Sequence, residues 1–372
     1  MDSQPLVRAF LRVGTVAVLG VLPLFAIGFV LVDLASGGAG WAFREAFLGA
    51  ADAVLRGESP YPALDDPALE RGTAYVYPPA MALLTTPFTV LGHDVAVVLF
   101  ALLLVASVPA TLAVLGVRDW RCYGVALLWP PVLSAVHVEN ISLLIGLAAA
   151  LVWRFRDRPV VAGSILGISG AVKPLLWPLG LWFLATRRLR ALLWSVGTGI
   201  AVVLGSWAVI GFAGIVEYQE LLRRLSELMD EWGYSVYALA LDLHAGDAAA
   251  HVLWAALAVA VLAAAIVVAR RRDERSGFVL AVAATIAASP IVWLHYFALL
   301  LVVVAVAQPR LGAAWFVPLA MYGGEELQNG TTAQTIVVLA AAGLTVALAL
   351  RPWPRRAPAA RPEPARVAEL PG

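Results

Sequence analysis

The residues best suited to chemistry are a few polar side chains set among long apolar segments. Lys173 is the only lysine of the chain and lies in the stretch ISGAVKPLLWP, between two apolar runs. An ionised group at membrane depth is energetically expensive and therefore indicates function. A compact ammonium group pairs well with a phosphate. The alternative interpretation is a lysine that only extends to the membrane interface.

His295 lies in the stretch SPIVWLHYFALL, close after Pro290. A proline inside a helix leaves backbone groups that must be satisfied within a cavity. A histidine beside such a break could bind a phosphate or relay a proton. An ordinary buried histidine, satisfied by the core, is the alternative. Trp293 and Tyr296 flank it, and we expect both to line a substrate cavity.

Two further segments carry polar and aromatic groups that the apolar runs lack. Residues 33–77 hold many carboxylates and arginines, together with Tyr61 and Tyr77, and the short stretch HVEN contains Glu139 and Asn140. Rigid loops with aromatic residues commonly shape binding sites. We therefore expect these four side chains to contribute to a substrate cavity, although a merely solvated loop would have a similar composition.

The elements that position these residues are predicted to be membrane helices. The chain of 372 residues is 61% hydrophobic and 14% charged, whereas soluble domains carry about 25% charged residues. Apolar runs at 98–117, 191–212 and 251–269 approach the ~20 residues that a spanning helix needs. The composition indicates an all-α, polytopic integral membrane protein, and the run 13–32 is interpreted as a retained helix, not a cleaved signal.

Several classes of function are disfavoured by the sequence. The net charge of +1 gives no reason to expect nucleic acid as a partner. The single cysteine, Cys122, excludes an internal disulfide. No metal-ligand spacing or phosphate-binding glycine loop is found. We therefore expect neither a metal nor any other cofactor.

Arginine clusters mark the predicted cytoplasmic side. Their spacing gives about twelve crossings with both chain ends inside, and residues 1–350 form one membrane domain. Residues 78–92 would add an odd crossing, so we expect a re-entrant or interfacial segment there. Helical apolar stripes predict amphipathic helices on the outer surface at 42–55 and within 213–250. The Pro-, Ala- and Arg-rich residues 351–372 are expected to be a disordered cytoplasmic tail.

The order of these motifs resembles glycosyltransferase family 87. An outer loop ending in AADAVLRGESPYP is followed by YVYPPAMALLTTPF, by GSILGISGAVKPLLWPLGLWFLATRRLRA and finally by SPIVWLHY. The resemblance covers about residues 10–350 and implies a helical membrane enzyme of the GT-C fold. It also implies the bacterial plasma membrane as the location, with the active site on the outer face.

The resemblance further implies a reaction. A hexose, mannose in particular, would move from a polyprenyl-phosphate donor to a lipid or cell-envelope glycan acceptor, with inversion at the anomeric carbon. Lys173 and His295 match the basic positions that hold the donor phosphate. A carboxylate of the first outer loop would accept the proton of the attacking hydroxyl. No nucleotide or metal takes part.

One departure from the family pattern concerns that carboxylate. Ala42 stands where the resemblance leads us to expect it. Glu45, one helical turn further on, is the first substitute, and Asp33 is the second. Two alternatives stay open: a transporter or flippase of lipid-linked sugars, which would show two similar halves, and a catalytically inactive family member.

Overall fold

The computed structural model describes residues 4–38, 40–229, 232–323 and 330–351. Within these residues the chain is helical and contains no β-strand. In chain order the helices are α1 Gln4–Val16, α2 Leu22–Ala35, α3 Leu48–Leu55, α4 Pro67–Glu70, α5 Pro79–Thr85, α6 His93–Val114, α7 Trp120–Leu127, α8 Pro130–His137, α9 Ser142–Arg154, α10 Pro159–Val172, α11 Pro178–Ala185, α12 Leu189–Val209, α13 Ile215–Leu228, α14 Val236–Asp242, α15 Asp247–Arg270, α16 Glu274–Ala287, α17 Leu300–Ala307, α18 Ala313–Phe316 and α19 Thr332–Leu350. The all-α prediction is confirmed.

Five helical segments of the described chain are long and apolar enough to cross a membrane. They are Val7–Ala35, His93–Val114, Leu189–Val209, Asp247–Arg270 and Thr332–Leu350. The first joins α1 and α2 through a π-helical stretch at Ala17–Val21. The number of about twelve crossings therefore stays a prediction, because the remaining apolar helices are shorter than a full span.

Long and short helices differ in where they lie. Four of the five long segments bury few of their side chains, and Phe10 and Phe25 of the first segment are 78% and 72% exposed, whereas half of α6 is buried. Helix α17, by contrast, has nearly all of its side chains buried. Apolar side chains that face outward suit a lipid environment. Short helices such as α17 form the interior of the bundle, and Asn140, Lys173 and His295 are buried there.

Prolines explain one of the shortened helices. A single crossing was expected between the arginine clusters near 121 and the stretch HVEN, but α7 and α8 are separate eight-residue helices. Trp129 between them is extended, as residues before proline usually are, and Pro130 begins α8. The indole of Trp129 donates to the carbonyl of Trp315, 2.8 Å away, which fixes the break in the core.

Helices α10 and α12 pack very closely because two glycines face α12. A Cβ on Gly163 would lie 2.3 Å from the carbonyl oxygen of Ala191, and one on Gly167 would lie 2.4 Å from that of Ser195. Small residues four positions apart let helix backbones approach in this way. The pair gives α10 a fixed position, and α10 leads directly into Lys173.

The two predicted amphipathic helices are present, and the first packs differently from expectation. Residues 42–47 form a π-helix that continues into α3. Phe43 and Phe47 share a buried side, as predicted, but Phe43 stacks on Phe100 of α6 with 4.1 Å between ring centroids. This apolar side therefore packs on protein, not on the bilayer. Helix α13 is the second, and its Leu221 is buried.

Residues 78–92 contain only a short helical segment. Helix α5 is followed by a single 3₁₀ turn at Thr86–Phe88. Ten residues at about 1.5 Å each reach roughly half of a ~30 Å hydrocarbon core. This length agrees with the expectation that the segment does not cross. The predicted tail lies outside the described residues, apart from Arg351.

Candidate functional site

Lys173 is placed by the end of α10. Its amide still donates to the carbonyl of Ser169, while Pro174 forces the lysine backbone into an extended conformation. The chain therefore turns at Lys173, and the side chain enters the interior instead of continuing along the helix surface. Only 6% of the residue is exposed. Function at this lysine thus requires a ligand that reaches the interior of the bundle.

The ammonium group of Lys173 has neutral partners. Nζ lies 3.1 Å from Oδ1 of Asn140 and 3.5 Å from the hydroxyl of Tyr77. It also lies 4.2 Å from the centre of the Tyr296 ring, a cation–π distance. Among the described residues no aspartate or glutamate forms an ion pair with it. We call Tyr77, Asn140, Lys173, His295 and Tyr296 the Lys173 cluster.

Asn140 is held so that its oxygen faces the lysine. Oδ1 accepts hydrogen bonds from the amide and the hydroxyl of Ser142, while Nδ2 donates to the Tyr77 hydroxyl. These contacts use both ends of the amide. The turn between α8 and α9 that carries Asn140 is tight, and Glu139 in it has a φ of +58°. This conformation is uncommon for a residue other than glycine.

Tyr77 joins the cluster from the loop 33–77. Its backbone carbonyl accepts a hydrogen bond from the hydroxyl of Tyr61, at 3.2 Å, and its ring packs edge-on against Phe47. Tyr61 in turn lies 4.9 Å from the ring of Tyr218 in α13. The loop 33–77 and the segment 213–250 therefore meet beside Tyr77, and the hydroxyl of Tyr218 also donates to the carbonyl of Val76.

His295 and Tyr296 belong to a 3₁₀ helix at Leu294–Leu299. Helix α16 ends before Pro290, and this 3₁₀ helix follows it. His295 is buried, and its Nε2 has no hydrogen-bond partner within the described chain. Its ring centre lies 5.1 Å from that of Tyr296. Trp293 points to a different neighbour, because its ring packs against Trp232 at 6.3 Å. Of the two predicted cavity residues that flank His295, Tyr296 therefore contacts Lys173, whereas Trp293 packs against Trp232.

The predicted carboxylates do not join the Lys173 cluster. Asp33 lies 3.1 Å from Nε2 of His137, and Glu45 is exposed beside a separate cavity of 220 Å³ that Tyr61 also lines. Glu139 is fully buried, and neither carboxylate oxygen has a partner in the described residues. The expectation that a carboxylate converges with Lys173 and His295 is therefore not met by direct contact.

Ala42 lies beside the turn that carries Glu139. Its amide donates to the carbonyl of Val138, and the amide of Gly40 donates to that of His137. A Cβ on Gly40 would lie 2.6 Å from Oε2 of Glu139, so this glycine leaves the space that the carboxylate fills. The resemblance leads us to expect a carboxylate at position 42. Ala42 stands there, and its backbone pairs with the residue before Glu139, which carries a buried carboxylate.

Three polar residues of this region were missed by sequence reasoning. They are His137, which contacts Asp33, Ser142, which orients Asn140, and Thr73, whose hydroxyl lacks a partner in the described chain. The histidine belongs to the stretch HVEN and was within reach. Ser142 and Thr73 are single hydroxyls of ordinary frequency, and no local pattern distinguishes them.

An apolar groove begins next to the cluster. It has a volume of 400 Å³ and lies between α5, α6, α9 and α10. Ile141 and Val172 line it, and these residues directly adjoin Asn140 and Lys173 in the chain. Ser169 also lines it, and its buried hydroxyl has no partner among the described residues. A ligand with an apolar chain and an anionic head suits this arrangement.

The comparison with protein families decides the class. The sequence model of glycosyltransferase family 87 matches residues 75–295, which is more than half of the chain. The chain belongs to glycosyltransferase family 87. No curated protein and no solved structure matches it. Family membership and the long apolar helices make the protein a membrane glycosyltransferase, with a sugar donor and an acceptor as its general ligands.

The family 87 match divides the candidate residues. Tyr77, Asn140, Lys173 and His295 lie inside it, and His295 is its last residue. The carboxylates Asp33 and Glu45 lie before its first residue, residue 75. The part of the site that the family model covers is therefore the one that the structure brings together around the lysine.

Proposed function

We propose that this family 87 protein transfers a hexose, mannose in particular, from a polyprenyl-phosphate donor to a lipid or cell-envelope glycan acceptor. The observation that carries the proposal is a buried ammonium group without an acidic partner in the described residues. A buried charge normally pairs with an opposite one. An anionic ligand would supply the missing charge, and a phosphate monoester or diester is the anion that a lipid-linked sugar brings.

Two groups of the Lys173 cluster would bind the donor phosphate. Lys173 supplies a positive charge and three N–H donors. Nε2 of His295 supplies a further donor when it carries a proton, and it has no competing partner in the described chain. Tyr77, Asn140 and Tyr296 orient the ammonium group. Charge-assisted hydrogen bonds of this kind are about twice as strong as neutral ones.

The apolar groove would hold the prenyl chain of the donor. It is lined mainly by aliphatic and aromatic side chains, and it reaches the protein surface because its lining includes the exposed Leu84, Leu103 and Ile168. Because lipid-linked donors stay in the bilayer, only their head groups need to enter the protein. The groove leads toward Asn140 and Lys173, so the phosphate would meet the ammonium group while the chain stays in apolar surroundings.

The reaction needs one proton acceptor. An acceptor hydroxyl oxygen attacks the anomeric carbon, the bond from that carbon to the phosphate oxygen breaks, and the phosphate leaves with the electron pair. The proton passes to a carboxylate, for which Glu45 is the first candidate and Asp33 the second. Such general-base assistance contributes about 10²–10⁴-fold to a rate. Attack opposite the leaving phosphate inverts the anomeric centre, and the reaction takes place at the outer face of the bacterial plasma membrane.

One observation favours a second function. Ala42 carries no carboxylate, and in the described residues no acidic group touches Lys173. An inactive family member that only binds the lipid-linked sugar would show the same features. The two functions differ in one result, because the inactive protein binds the donor but releases no free polyprenyl phosphate when acceptors are present.

The experiment is a transfer assay with purified full-length protein in lipid nanodiscs. Radiolabelled polyprenyl-phosphate mannose serves as donor, and a membrane lipid extract supplies acceptors. We expect label to appear in a glycolipid or glycan fraction with wild type and to disappear with Lys173→Met, which keeps the length of the side chain but removes its charge. His251→Ala, a surface change near Asp247, is the control. Wild-type activity in Lys173→Met would refute the donor site.

A further inference from the structure

The outer loop contains a cavity that is separate from the Lys173 cluster. Its volume is 220 Å³, and it lies between α3 and the loop around residues 60–75. Glu45, Tyr61, Asp66, Thr73 and Tyr75 contribute to its walls. At roughly 30 Å³ per water molecule in the liquid, the cavity has the volume of about seven waters. A single pyranose ring displaces a similar amount of water.

The polar groups of this cavity are hydrogen-bond acceptors or hydroxyls. The Glu45 carboxylate makes no hydrogen bond or ion pair within the described chain, and the Thr73 hydroxyl has no partner there either. Asp66 uses one oxygen to cap α4 through the amide of Ala68. No lysine, arginine or histidine lines the cavity. Groups of this kind accept hydrogen bonds from a neutral polyhydroxylated ligand and repel a phosphate.

The two tyrosines make the wall rigid. The hydroxyl of Tyr75 donates to the carbonyl of Pro78 and accepts from the amide of Ala82. That of Tyr61 donates to the carbonyl of Tyr77, and the Tyr61 ring stacks on Trp207 with 5.6 Å between centroids. Both hydroxyls are thus engaged in the protein. Tyr75 is buried, and the Tyr61 ring is also packed against Tyr218, so the two rings form the closed floor of the cavity and leave its polar groups to contact a ligand.

The same tyrosines separate the cavity from the Lys173 cluster. The ring centres of Tyr61 and Tyr75 are 5.8 Å apart, and those of Tyr75 and Tyr77 are 6.1 Å apart. Tyr77 then contacts the ammonium group of Lys173. Two side chains, Tyr75 in the wall and Tyr77 behind it, therefore stand between a molecule in the cavity and the ammonium group of Lys173.

From this geometry we infer that the cavity binds one neutral sugar ring of the acceptor. This inference rests on the proposed function and adds the class of acceptor, namely a glycan or glycolipid that carries a neutral hexose or similar ring next to the hydroxyl that reacts. The negative wall selects against acceptors whose terminal ring is a uronic acid or bears a phosphate. The donor and the acceptor are thus distinguished by the charge of the groups that receive them.

One position allows the cavity to be filled without disturbing the fold. Gly49 lines the cavity from α3, is exposed, and would place a Cβ with no atom within 4 Å. A larger side chain there meets no atom of the backbone or core. Because glycine destabilises a helix, its replacement should not lower the stability of α3. Gly49→Phe therefore blocks the cavity, while Gly49→Ala leaves most of its volume and controls for the backbone effect.

The test measures saccharide binding to full-length protein in nanodiscs by saturation-transfer difference NMR. The probes are mannose, the α-linked mannobioses, maltose and cellobiose, with glucuronic acid and inorganic phosphate as anionic probes. We expect at least one neutral saccharide to show saturable binding to wild type. Binding should be lost in Gly49→Phe, and about 3–10-fold weaker in Thr73→Val because one hydrogen bond is removed. It should be affected far less by Gly49→Ala than by Gly49→Phe, and it should be unchanged in Asp65→Asn, a loop carboxylate outside the cavity.

Two results would overturn the inference. One is the absence of saturable binding for every neutral saccharide in the millimolar range. The other is binding of equal strength in Gly49→Phe and wild type. A parallel titration with farnesyl phosphate distinguishes failure of the acceptor site from failure of the donor site. If the phosphate binds in a Lys173-dependent manner and the saccharides do not bind, only the acceptor site fails; the opposite result removes the donor site alone.

Discussion

The Lys173 cluster and the Glu45 cavity lie on two sides of the same tyrosine layer and differ in charge and exposure. The cluster is buried, holds one positive charge, and surrounds it with an amide, a phenol and an aromatic ring. The cavity is open and lined by carboxylates and a hydroxyl. A buried cation needs an anion, whereas exposed carboxylates tolerate water and neutral hydroxyls. This difference is why we assign the donor phosphate to one region and the acceptor sugar to the other.

The largest expected effect comes from removing the charge of the cluster. Lys173→Met should weaken the binding of a polyprenyl phosphate by about 100-fold, since a hydrogen bond to a charged group contributes about 1.5–3 kcal/mol, and sugar transfer should become undetectable. Isothermal titration with farnesyl phosphate measures the first effect. Saccharide binding in the cavity should stay at the wild-type level. If Lys173→Met lost both phosphate binding and saccharide binding, the cluster and the cavity would not be independent sites.

A second change makes the cluster resemble the cavity. Asn140→Asp places a carboxylate where an amide oxygen lies 3.1 Å from the lysine ammonium. The new ion pair competes with the donor phosphate, and we expect roughly tenfold to 100-fold weaker phosphate binding. Asn140→Ala, which removes the amide without adding charge, is the matched comparison and should be the milder change. An aspartate variant that binds phosphate as well as wild type would contradict the account.

The third prediction concerns the proton acceptor and therefore the cavity side. Glu45→Gln should lower the transfer rate by about 10²-fold or more, and Asp33→Asn should lower it much less, because Asp33 is engaged with His137. Single-turnover rates with labelled donor measure both. Equal and mild losses would place the proton acceptor elsewhere and would strengthen the case for an inactive member.

A smaller effect is expected in the layer between the regions. Tyr77→Phe removes a hydroxyl that accepts from Asn140 and lies near the ammonium group, while the ring stays against Phe47. One neutral hydrogen bond contributes about 0.5–1.5 kcal/mol. Phosphate binding should weaken less than about tenfold, and saccharide binding should not change. Titrations of the variant with both probes show whether this holds.

The smallest effect concerns a carboxyl group outside both regions. Glu139 lies in the turn between α8 and α9, outside the helices, and burial raises its pKa to about 9, despite the opposing charge of Arg44. The folded protein therefore keeps a proton that the unfolded chain loses above its ordinary pKa. Stability falls as the pH rises between these two values. Glu139→Gln should raise the melting temperature at pH 8 by a few degrees and leave it nearly unchanged at pH 4. A lower melting temperature at pH 8 would show that the carboxylate has a stabilising partner.

Residues that the sequence singled out separately lie together in the Lys173 cluster, whereas the candidate carboxylates Asp33 and Glu45 lie elsewhere. A single lysine in an apolar chain is conspicuous, and Tyr77, Asn140 and Tyr296 each lie at an interruption of an apolar run. The helical class also follows directly from composition and run length. These are local signals, and each is readable without knowledge of which helices touch.

Contacts between distant segments could not be predicted in the same way. Helical periodicity shows which side of a helix is apolar, but not that Phe43 stacks on Phe100 instead of lipid. The pairing of Asp33 with His137 joins residues more than a hundred positions apart. The division of one predicted crossing into α7 and α8 depends on Trp129 finding a carbonyl of α18. Such features arise from packing, and a single sequence carries no direct record of packing.

The most direct test of the central claim is a titration of purified protein with farnesyl phosphate, compared between wild type and Lys173→Met. The account predicts saturable binding to wild type that competes with inorganic phosphate and is weakened about 100-fold in the variant, as expected for a lost charged hydrogen bond. Equal affinity of the two proteins, or no saturable binding to wild type, would contradict the assignment of the buried lysine to an anionic lipid head group.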